Sequence, residues 1–532
     1  MYQYTEEQTV SMKKVEATRA SRFGADIRRM TAEEKDEVLA SFHPDYITSA
    51  YEELKVGPNK GGKVLHELAA LLEGRPRVLD MQIDLSQPDY DVDVLIIGGG
   101  GAGASAAIEA DNCGAKAMIV TKLVSATPIP RWPRAGFRRG QGKRQPAHYL
   151  DAFGGGHFKN KPELLYKLVT EAPEAIQWLN DLGVMFDKAP DGTMVTTHGG
   201  GTSRKRMHAC RDYSGSEIMR VLRDEVLNRG ITVVDFTSAI ELIKDADGKA
   251  AGAVLMNMET KEILVAKAKT VVIATGGAGR LHYQGFPTSN HYGATADGLV
   301  LAYRAGAKLL YPETLQYHPT GAAAPTQIYG ALVTEKVRSL GAQLVNKDGI
   351  AFVNPLETRD VTASSIIREC KKNNGGIKTT DGEGVWLDTP LIEMVNGEGT
   401  IEKRIPAMMR MFGKYGIDIR KEPILVYPTL HYQNGGIDIS ADGMSGVENL
   451  YVAGEAVGGI HGTNRLMGNS LLDIIVFGRN AGRRAGEKCK NVKVKKLTLD
   501  FVKEYERALE TAGLRPEMPS PRLLPDYRRK DN

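Results

Sequence analysis

Cysteine is scarce in this chain of 532 residues, and it is never clustered. No two cysteines have the C-x-x-C spacing that binds zinc or an iron–sulfur cluster. We therefore expect no metal centre within the chain. The four isolated cysteines are Cys113, Cys210, Cys370 and Cys489.

Long apolar runs and an excess of charge are also missing. No stretch approaches the roughly 20 apolar residues that a membrane helix requires, so we expect no transmembrane span. The formal net charge of +4 gives no reason to expect nucleic-acid binding. The first seven residues are polar and acidic, without the apolar core of a secretion signal or a twin-arginine motif. A cytoplasmic location is therefore expected.

Glycine, in contrast, is abundant at 58 residues, and much of it lies next to predicted strands, which is typical of backbone packed against a ligand. One cluster lies between a buried strand at 92–97 and an alanine-rich helix at 102–113, and a second strand follows at 117–120. In this βαβ context G-x-G-x-x-G indicates a dinucleotide site, because its glycines let a pyrophosphate approach the helix N-terminus. The residues assigned to the cofactor are Gly98, Gly100, Ala102 and Gly103, with Thr121 and Lys122 where an acidic ribose ligand is usual.

Two further glycine sites favour FAD over NAD. A strand at 270–274 ends in Ala-Thr-Gly-Gly, and a strand at 450–453 ends in Ala-Gly-Glu. Both resemble signatures of FAD enzymes, in which the later strand brings a carboxylate to the ribose. Asp297 is either another polar cofactor contact or an ordinary helix N-cap. The residues assigned from these sites are Thr275, Gly276 and Glu455.

The order of the predicted elements indicates an inserted domain. Predicted strands recur at 231–236, 251–256 and 270–274, and the last, at 450–453, lies far downstream. A sheet that is completed so late implies a domain inserted within it. The predicted divisions are an N-terminal helical extension (1–88, with a capping box at Thr31), a nucleotide-binding domain in two parts (89–310 and 422–490), the inserted domain (311–421) and a short C-terminal tail (491–532).

Three separated blocks resemble the flavoprotein-subunit family of succinate dehydrogenase and fumarate reductase. They are Gln-Tyr-His-Pro-Thr-Gly at 316–321 with Leu-Val-Thr-Glu-Lys-Val-Arg at 332–338, Glu-Thr-Arg-Asp at 357–360, and Pro-Thr-Leu-His-Tyr-Gln-Asn-Gly-Gly at 428–436 with His-Gly-Thr-Asn-Arg-Leu-Met-Gly-Asn-Ser-Leu-Leu-Asp at 461–473. The resemblance covers about residues 91 to 482. It implies an α/β fold, with a Rossmann-like FAD-binding domain and an inserted α+β capping domain. It also implies an enzyme that interconverts fumarate and succinate.

The resemblance assigns a substrate site. A dicarboxylate brings two negative charges, and arginine supplies a planar fork that matches a carboxylate. By resemblance, Arg465 and His431 hold one carboxylate, while His318, Thr334 and Glu335 contact the other end.

The resemblance also assigns proton transfer to an arginine, while hydride comes from flavin N5. Arg359 matches that arginine. Because its unperturbed pKa lies above about 12, it must regain its proton at once, and Glu335 with Arg338 resembles the relay that supplies it. The amides of Ser470 and Leu471, at a predicted helix start, should face the N1 and O2 edge of the flavin and stabilise its anionic reduced form.

Residues 123–145 depart from the family. They contain no histidine, so FAD is expected to be non-covalent, and their proline- and arginine-rich sequence suits neither strand, helix nor flavin pocket. We advance the hypothesis of a shifted reading frame beginning at the last base of codon 124. Permitted codons there encode Leu-Gly-Asp-Ala-Asn-Thr-Pro-Met-Ala-Glu-Gly-Gly-Ile-Gln, which resembles the missing flavin block with asparagine in place of histidine. Sequencing codons 120 to 147 tests this.

The remaining departures leave alternatives open. Asn434 stands where relatives commonly have methionine, and only about fifty residues follow Gly482, where the family usually has a helical domain. The alternative functions are those of an L-aspartate oxidase, another dicarboxylate flavin dehydrogenase, or a non-catalytic flavin electron-transfer subunit. Because the chain has neither a cluster motif nor a second nucleotide fingerprint, a separate iron–sulfur subunit is the expected electron partner.

Overall fold

A computed structural model describes residues 2–124, 145–281 and 283–525. Residues 125–144, which hold nearly all of the stretch of the shifted-frame hypothesis and of the missing flavin-attachment block, lie outside the described residues. Within the described ranges, no helix combines the length and apolar character needed to cross a membrane.

Helices are distributed along the whole described chain. They are α1 (Glu6–Arg22), α2 (Ala32–Phe42), α3 (His66–Leu72), α4 (Gly101–Asn112), α5 (Gln145–Gly155), α6 (Pro162–Asp181), α7 (Ser214–Asn228), α8 (Asp297–Arg304), α9 (Lys336–Ser339), α10 (Arg359–Lys371), α11 (Leu391–Asn396), α12 (Thr400–Arg404), α13 (Pro406–Gly413), α14 (Asn469–Lys488) and α15 (Asp500–Thr511).

The strands form one large sheet, one smaller sheet and three two-stranded pairs within the described residues. They are β1 (Tyr51–Glu53), β2 (Lys63–Leu65), β3 (Arg75–Pro76), β4 (Tyr90–Ile97), β5 (Ala117–Val120), β6 (Thr232–Val234), β7 (Thr237–Asp245), β8 (Ala250–Asn257), β9 (Ile263–Ile273), β10 (Leu309–Leu310), β11 (Leu315–Ala322), β12 (Gln343–Val345), β13 (Ile377–Thr379), β14 (Gly382–Asp388), β15 (Ile424–Gln433), β16 (Gly436–Ile437), β17 (Leu450–Val452), β18 (Leu497–Thr498) and β19 (Pro519–Ser520).

The large sheet confirms the predicted Rossmann-like fold. Its strand order is β18-β7-β8-β9-β4-β5-β6, with β17 beside β9. Strands β9, β4, β5 and β6 are parallel neighbours, and β17 is parallel to β9 with Leu450 opposite Val271. The strand far downstream therefore completes the sheet, as the inserted-domain prediction requires.

Two strands of this sheet, β7 and the two-residue β18, are absent from the sequence prediction. The centre of β7 carries Glu241, which is buried and forms an ion pair with the buried Arg304. A charged residue inside an otherwise apolar run hides the strand pattern, because its compensation by a partner 63 residues away is visible only in the folded chain.

The helix α4 packs against the large sheet and against α14, which also contacts the sheet. Its first ten residues are buried, and their small side chains let the two helices approach closely. The buried strand residues Val94, Leu95 and Ile96 complete this core, and each contributes about 1.5–3 kcal/mol through burial.

The smaller sheet has the order β11-β15-β14-β12, with β13 paired to β14, and all of its pairs are antiparallel. It forms the inserted α+β unit together with α10. Strand β15 follows the predicted domain boundary at 421 but is hydrogen-bonded within this sheet. The domain boundaries themselves stay predictions.

The N-terminal extension packs over both sheets. Helix α2 begins with the predicted capping box, in which the Thr31 hydroxyl accepts from Glu34 N and the Glu34 carboxylate accepts from Thr31 N. The C-terminal tail lies beside the extension, because β19 pairs with β3.

Candidate active site

A cavity opens at the carboxyl ends of the parallel strands. Its volume is about 250 Å³, counted as the space open to the centres of water molecules. Ile97, Val120, Ala274 and Ala453 bring the ends of β4, β5, β9 and β17 to its wall, which is where α/β sheets bind ligands. The predicted cofactor residues that line it are Gly98, Gly100, Ala102, Thr121, Lys122, Thr275, Gly276, Asp297, Glu455, Ser470 and Leu471.

Close backbone approach explains the glycines of the β4–α4 turn. Gly98 has φ +119°, and a Cβ there would lie 2.3 Å from Ala274 O. Gly103 does not line the cavity. A Cβ on it would lie 1.9 Å from Gly98 O, so the glycine is needed for α4 to pack against the turn. A Cβ on Gly100 would meet nothing within 4 Å. The turn therefore leaves room for a pyrophosphate next to the helix N-terminus.

Lys122 and Asp297 form an ion pair on the cavity wall. Asp297 also accepts a hydrogen bond from Thr295 Oγ1 at 2.9 Å. The alternative that Asp297 is an N-cap is wrong, because it is the first residue of α8 and the cap position is Ala296. Its carboxylate instead fixes Lys122 at the end of β5.

Glu455 follows β17 and faces the cavity. Its Oε1 accepts from Gln433 N at 3.0 Å and from Asn290 Nδ2 at 3.4 Å. Burial raises the pKa of Glu455 to about 7, since the hydrogen bond from Gln433 only partly offsets the loss of solvent. The carboxylate is oriented by the backbone of the smaller sheet.

The N-terminus of α14 closes the other side of the cavity. Gly468, with φ +85°, precedes the helix, and within the described residues no side chain caps it. Ser470 and Leu471 line the cavity, so a positive helix end faces it. The glycine turn, the oriented carboxylate and this helix end together fit a bound FAD.

A second group of buried side chains, which we call the charged series, lies beyond the cavity, at the start of α10. Arg359 Nε donates to Glu335 Oε2 at 2.8 Å, and Arg359 Nη1 donates to Gln316 Oε1 at 2.9 Å. Glu335 Oε1 accepts from Gly200 N at 2.7 Å, and Arg338 Nη2 lies 3.6 Å from Glu335 Oε2. The predicted relay residues are therefore in one connected series.

The charges of this series stabilise one another. Burial alone would raise the pKa of Glu335, but Arg359 and Arg338 outweigh it and lower the pKa. Burial lowers the pKa of Arg338 to about 10, against the opposite effect of Glu335. Glu335 is thus ionised at neutral pH, while the pKa of Arg338 is brought closer to neutrality.

His318 and His431 lie side by side on the neighbouring strands β11 and β15, with ring centroids 5.2 Å apart. Burial, followed by the charge of Arg359, lowers the pKa of both rings well below 6.5, so both are neutral. His318 Nδ1 accepts from Thr320 N at 3.2 Å, which places the ring proton on Nε2. No described residue bonds this Nε2, so it is available to donate to a ligand.

Thr334 is positioned close to this pair. The preceding residue, Val333, exchanges hydrogen bonds with Thr320 at 2.8 Å in both directions, and Thr320 belongs to the strand of His318. The Thr334 hydroxyl accepts from Lys336 N at 3.3 Å and retains its own proton for donation.

Arg465 joins the cavity to the charged series. It lines the cavity together with His431, and its guanidinium lies 4.4 Å from the centroid of the Tyr432 ring. Burial and the nearby Arg359 lower the pKa of Arg465 to about 9. Among the described residues, none bonds its Nε or Nη2. A buried cation with two open donors is costly unless an anion occupies the site.

Sequence reasoning missed several supporting residues. Gln316 bridges the site, since its Nε2 donates to Arg465 O at 2.6 Å and to Asn464 Oδ1 at 2.9 Å while its Oε1 binds Arg359. Ser289 Oγ lies 2.8 Å from His431 Nδ1. Gln316 begins the first of the three family blocks, but no sequence signal marks Ser289 or Gly200.

Known proteins resemble this chain over most of its length. The family described as FAD binding domain matches residues 93–471. A protein of Methanothermobacter marburgensis that is named as part of its fumarate reductase (CoM/CoB) is 36% identical over 410 residues, which cover 75% of this chain and 73% of that protein. The succinate dehydrogenase flavoprotein subunit of Coxiella burnetii is 33% identical over 372 residues, 64% of this chain and 61% of that protein.

The chain belongs to the FAD binding domain family, whose match covers residues 93–471. L-Aspartate oxidase of Streptomyces coelicolor is also similar, at 34% identity over 70% of this chain and 64% of that protein. Among solved structures, FrdA of a mutant E. coli quinol fumarate reductase has a TM-score of 0.71 at 28% identity, and the match covers 79% of this chain and 74% of FrdA. The chain is an FAD-dependent oxidoreductase of the fumarate reductase and succinate dehydrogenase flavoprotein family.

Proposed function

We propose that this chain interconverts fumarate and succinate, with Arg359 transferring the proton. The observation that supports the proposal most strongly concerns the buried Arg465, whose Nε and Nη2 have no hydrogen-bond partner among the described residues. Arg465 lies near the charged series of Arg359, Glu335 and Arg338. An anion that accepts hydrogen bonds from Arg465 would lie between the FAD cavity and the charged series. Its second carboxylate would reach His318 and Thr334.

The residues that would hold FAD are those of the glycine turn, Glu455 and the N-terminus of α14. When bound, FAD supplies or accepts the hydride. Arg465 and His431 orient one carboxylate of the substrate and polarise its double bond, since desolvated donors stabilise charge more strongly than water does. When Ser289 Oγ donates to His431 Nδ1, the neutral ring carries its proton on Nε2 and can donate to the substrate without adding a repulsive charge beside Arg465.

Arg359 protonates the carbon that does not receive the hydride. Its lost proton is replaced through Glu335, which already bonds Arg359 at 2.8 Å. Glu335 in turn regains a proton through Arg338, whose lowered pKa makes proton exchange easier. Gln316 holds Arg359 at 2.9 Å on its other side and so keeps the guanidinium aimed during the transfer.

Charge favours fumarate and succinate over aspartate. Aspartate carries an ammonium group that needs an acidic partner, and the carboxylate nearest Arg359 is Glu335. Both of its oxygens are engaged, by Gly200 N and by the two arginines. A dianion without an ammonium group suits this cationic surrounding better.

We further propose that electrons reach the chain from a separate iron–sulfur subunit. Two of the relatives are named as subunits, and the chain has no clustered cysteines of its own. Any association with a membrane would then be through partners. The cytoplasmic location stays a prediction.

Dye-coupled oxidation tests the substrate assignment. The purified yellow chain is incubated with an artificial electron acceptor and with succinate or L-aspartate in turn. Succinate should be oxidised at least about tenfold faster than aspartate, which corresponds to about 1.4 kcal/mol of discrimination. Faster oxidation of aspartate would favour the oxidase, and no oxidation of either would favour a non-catalytic protein.

A further inference from the structure

Glu357 lies two residues before Arg359 and is bound by the N-terminal extension. Its side chain is completely buried. Met30 N donates to its Oε1 at 2.9 Å, and Lys35 Nζ lies 3.1 Å from its Oε2. Both partners come from a part of the chain that precedes the family match at residue 93.

The extension holds the rest of this loop as well. Asn354 Nδ2 donates to Ile27 O, and Val361 on α10 packs against Val38 and Leu39 on α2. From the opposite side, the relay residue Arg338 donates to Pro355 O. The loop 354–358, which leads into Arg359, is therefore held between the extension and the relay.

The extension is itself fixed at other places. Arg22 Nη2 binds the buried Asp388 of the smaller sheet at 2.8 Å. Asp45 Oδ2 accepts from Leu315 N at 3.1 Å, and Val56 O accepts from the Tyr303 hydroxyl at 2.7 Å. The segment is thus anchored to both the inserted unit and the FAD-binding unit.

We propose that Glu357 is a positioning residue for Arg359, held by Lys35 and Met30, so that the N-terminal extension is part of the active-site scaffold. The inference rests on the proposed function only in giving Arg359 a role. Removing Lys35 leaves a buried carboxylate with a single amide donor, which is unfavourable. The loop would then shift to solvate Glu357 and displace Arg359.

The test compares Lys35→Met with Lys14→Met in the yellow, flavin-containing chain. Lys14 belongs to the same extension and also pairs with the inserted unit, 2.6 Å from Asp348, but both side chains are about half exposed, and neither belongs to the loop. Lys35→Met should lower kcat for fumarate by about ten- to a hundredfold, because small misplacements of catalytic groups cost that much. KM and flavin content should match those of Lys14→Met, whereas the unfolding midpoint should be lower, because Lys35→Met leaves the buried Glu357 without its cationic partner while Lys14→Met removes only an exposed pair.

Two readouts separate positioning from a general loss of stability. The solvent deuterium isotope effect on kcat should increase in Lys35→Met, because proton delivery becomes slower. Lys35→Arg, which keeps the charge, should recover most of the turnover. A Lys35→Met enzyme with the turnover and isotope effect of Lys14→Met would overturn the inference.

Hydrogen exchange keeps the test independent of the reaction. The amides of residues 355–363 should exchange faster in Lys35→Met than in Lys14→Met, whatever substrate the enzyme uses. If the unsubstituted chain fails to reduce fumarate while this exchange difference is found, the proposed function fails and the positioning contact stands. Equal exchange in the two variants would reject the positioning contact.

Discussion

The FAD cavity and the charged series around Arg359 meet at Arg465 and His431, yet they are constructed differently. The cavity is walled mostly by backbone and small residues at the ends of four strands of one sheet. The series consists of long charged side chains from separate segments, each holding the next by hydrogen bonds or ion pairs. Cofactor binding should therefore tolerate loss of a single side chain, whereas turnover should not.

The largest effect is expected at Arg359. Arg359→Lys or Arg359→Ala should lower fumarate reduction by about 10²- to 10⁴-fold, the contribution of a positioned proton donor. The flavin should remain bound, because Arg359 does not line the FAD cavity. Dye-coupled turnover and the ratio of flavin to protein absorbance measure the two quantities. Turnover close to that of the unsubstituted chain would remove Arg359 from the mechanism.

The next largest effect is expected at Arg465, where the two regions join. Arg465→Ala should lower kcat/KM by about a hundredfold and raise KM, since an unpaired, desolvated carboxylate costs about 1–3 kcal/mol or more. Arg484→Ala is the control, because Arg484 lies on the nearby helix α14 but is about half exposed. Steady-state kinetics with fumarate distinguish them, and an unchanged KM in Arg465→Ala would count against the substrate assignment.

A smaller effect is expected at Glu455, and it should concern the cofactor alone. With its pKa raised to about 7, the carboxyl is mainly protonated at pH 6 and mainly ionised at pH 8. The ionised form accepts hydrogen bonds from ribose hydroxyls, so FAD affinity should rise about tenfold from pH 6 to pH 8. Glu455→Gln should abolish this dependence. Fluorescence titration of the flavin-free chain measures it, and an equal slope in both proteins would contradict the assignment.

The smallest effect is expected at Asn434. Its Nδ2 donates to Thr463 O at 2.8 Å, next to the segment that carries Arg465. Asn434→Met, which restores the residue common among relatives, removes one hydrogen bond of about 1 kcal/mol. We expect kcat/KM for fumarate to change by less than about fivefold. A reversal of preference between succinate and aspartate would instead make Asn434 a determinant of specificity.

Prediction from sequence succeeds where a local pattern carries the information. The β4–α4 glycine turn and the strand of residues 450–452 are recognisable because close backbone packing leaves glycines in fixed positions. The strand β7 is missed because Glu241 interrupts its apolar run. The sequence does not decide between a cofactor contact and an N-cap for Asp297, because its partner, Lys122, follows a strand that is distant in sequence. Gln316 and Ser289 act through side-chain hydrogen bonds across the fold, which no local pattern records.

Fumarate reduction by the isolated chain tests the central proposal most directly. The yellow protein is mixed with fumarate and either a reduced viologen dye or NADH, and succinate formation is followed. We predict rapid turnover with the dye and little with NADH, because we propose that a separate iron–sulfur subunit supplies the electrons. Absence of succinate with the dye, or robust turnover with NADH alone, would contradict the proposal.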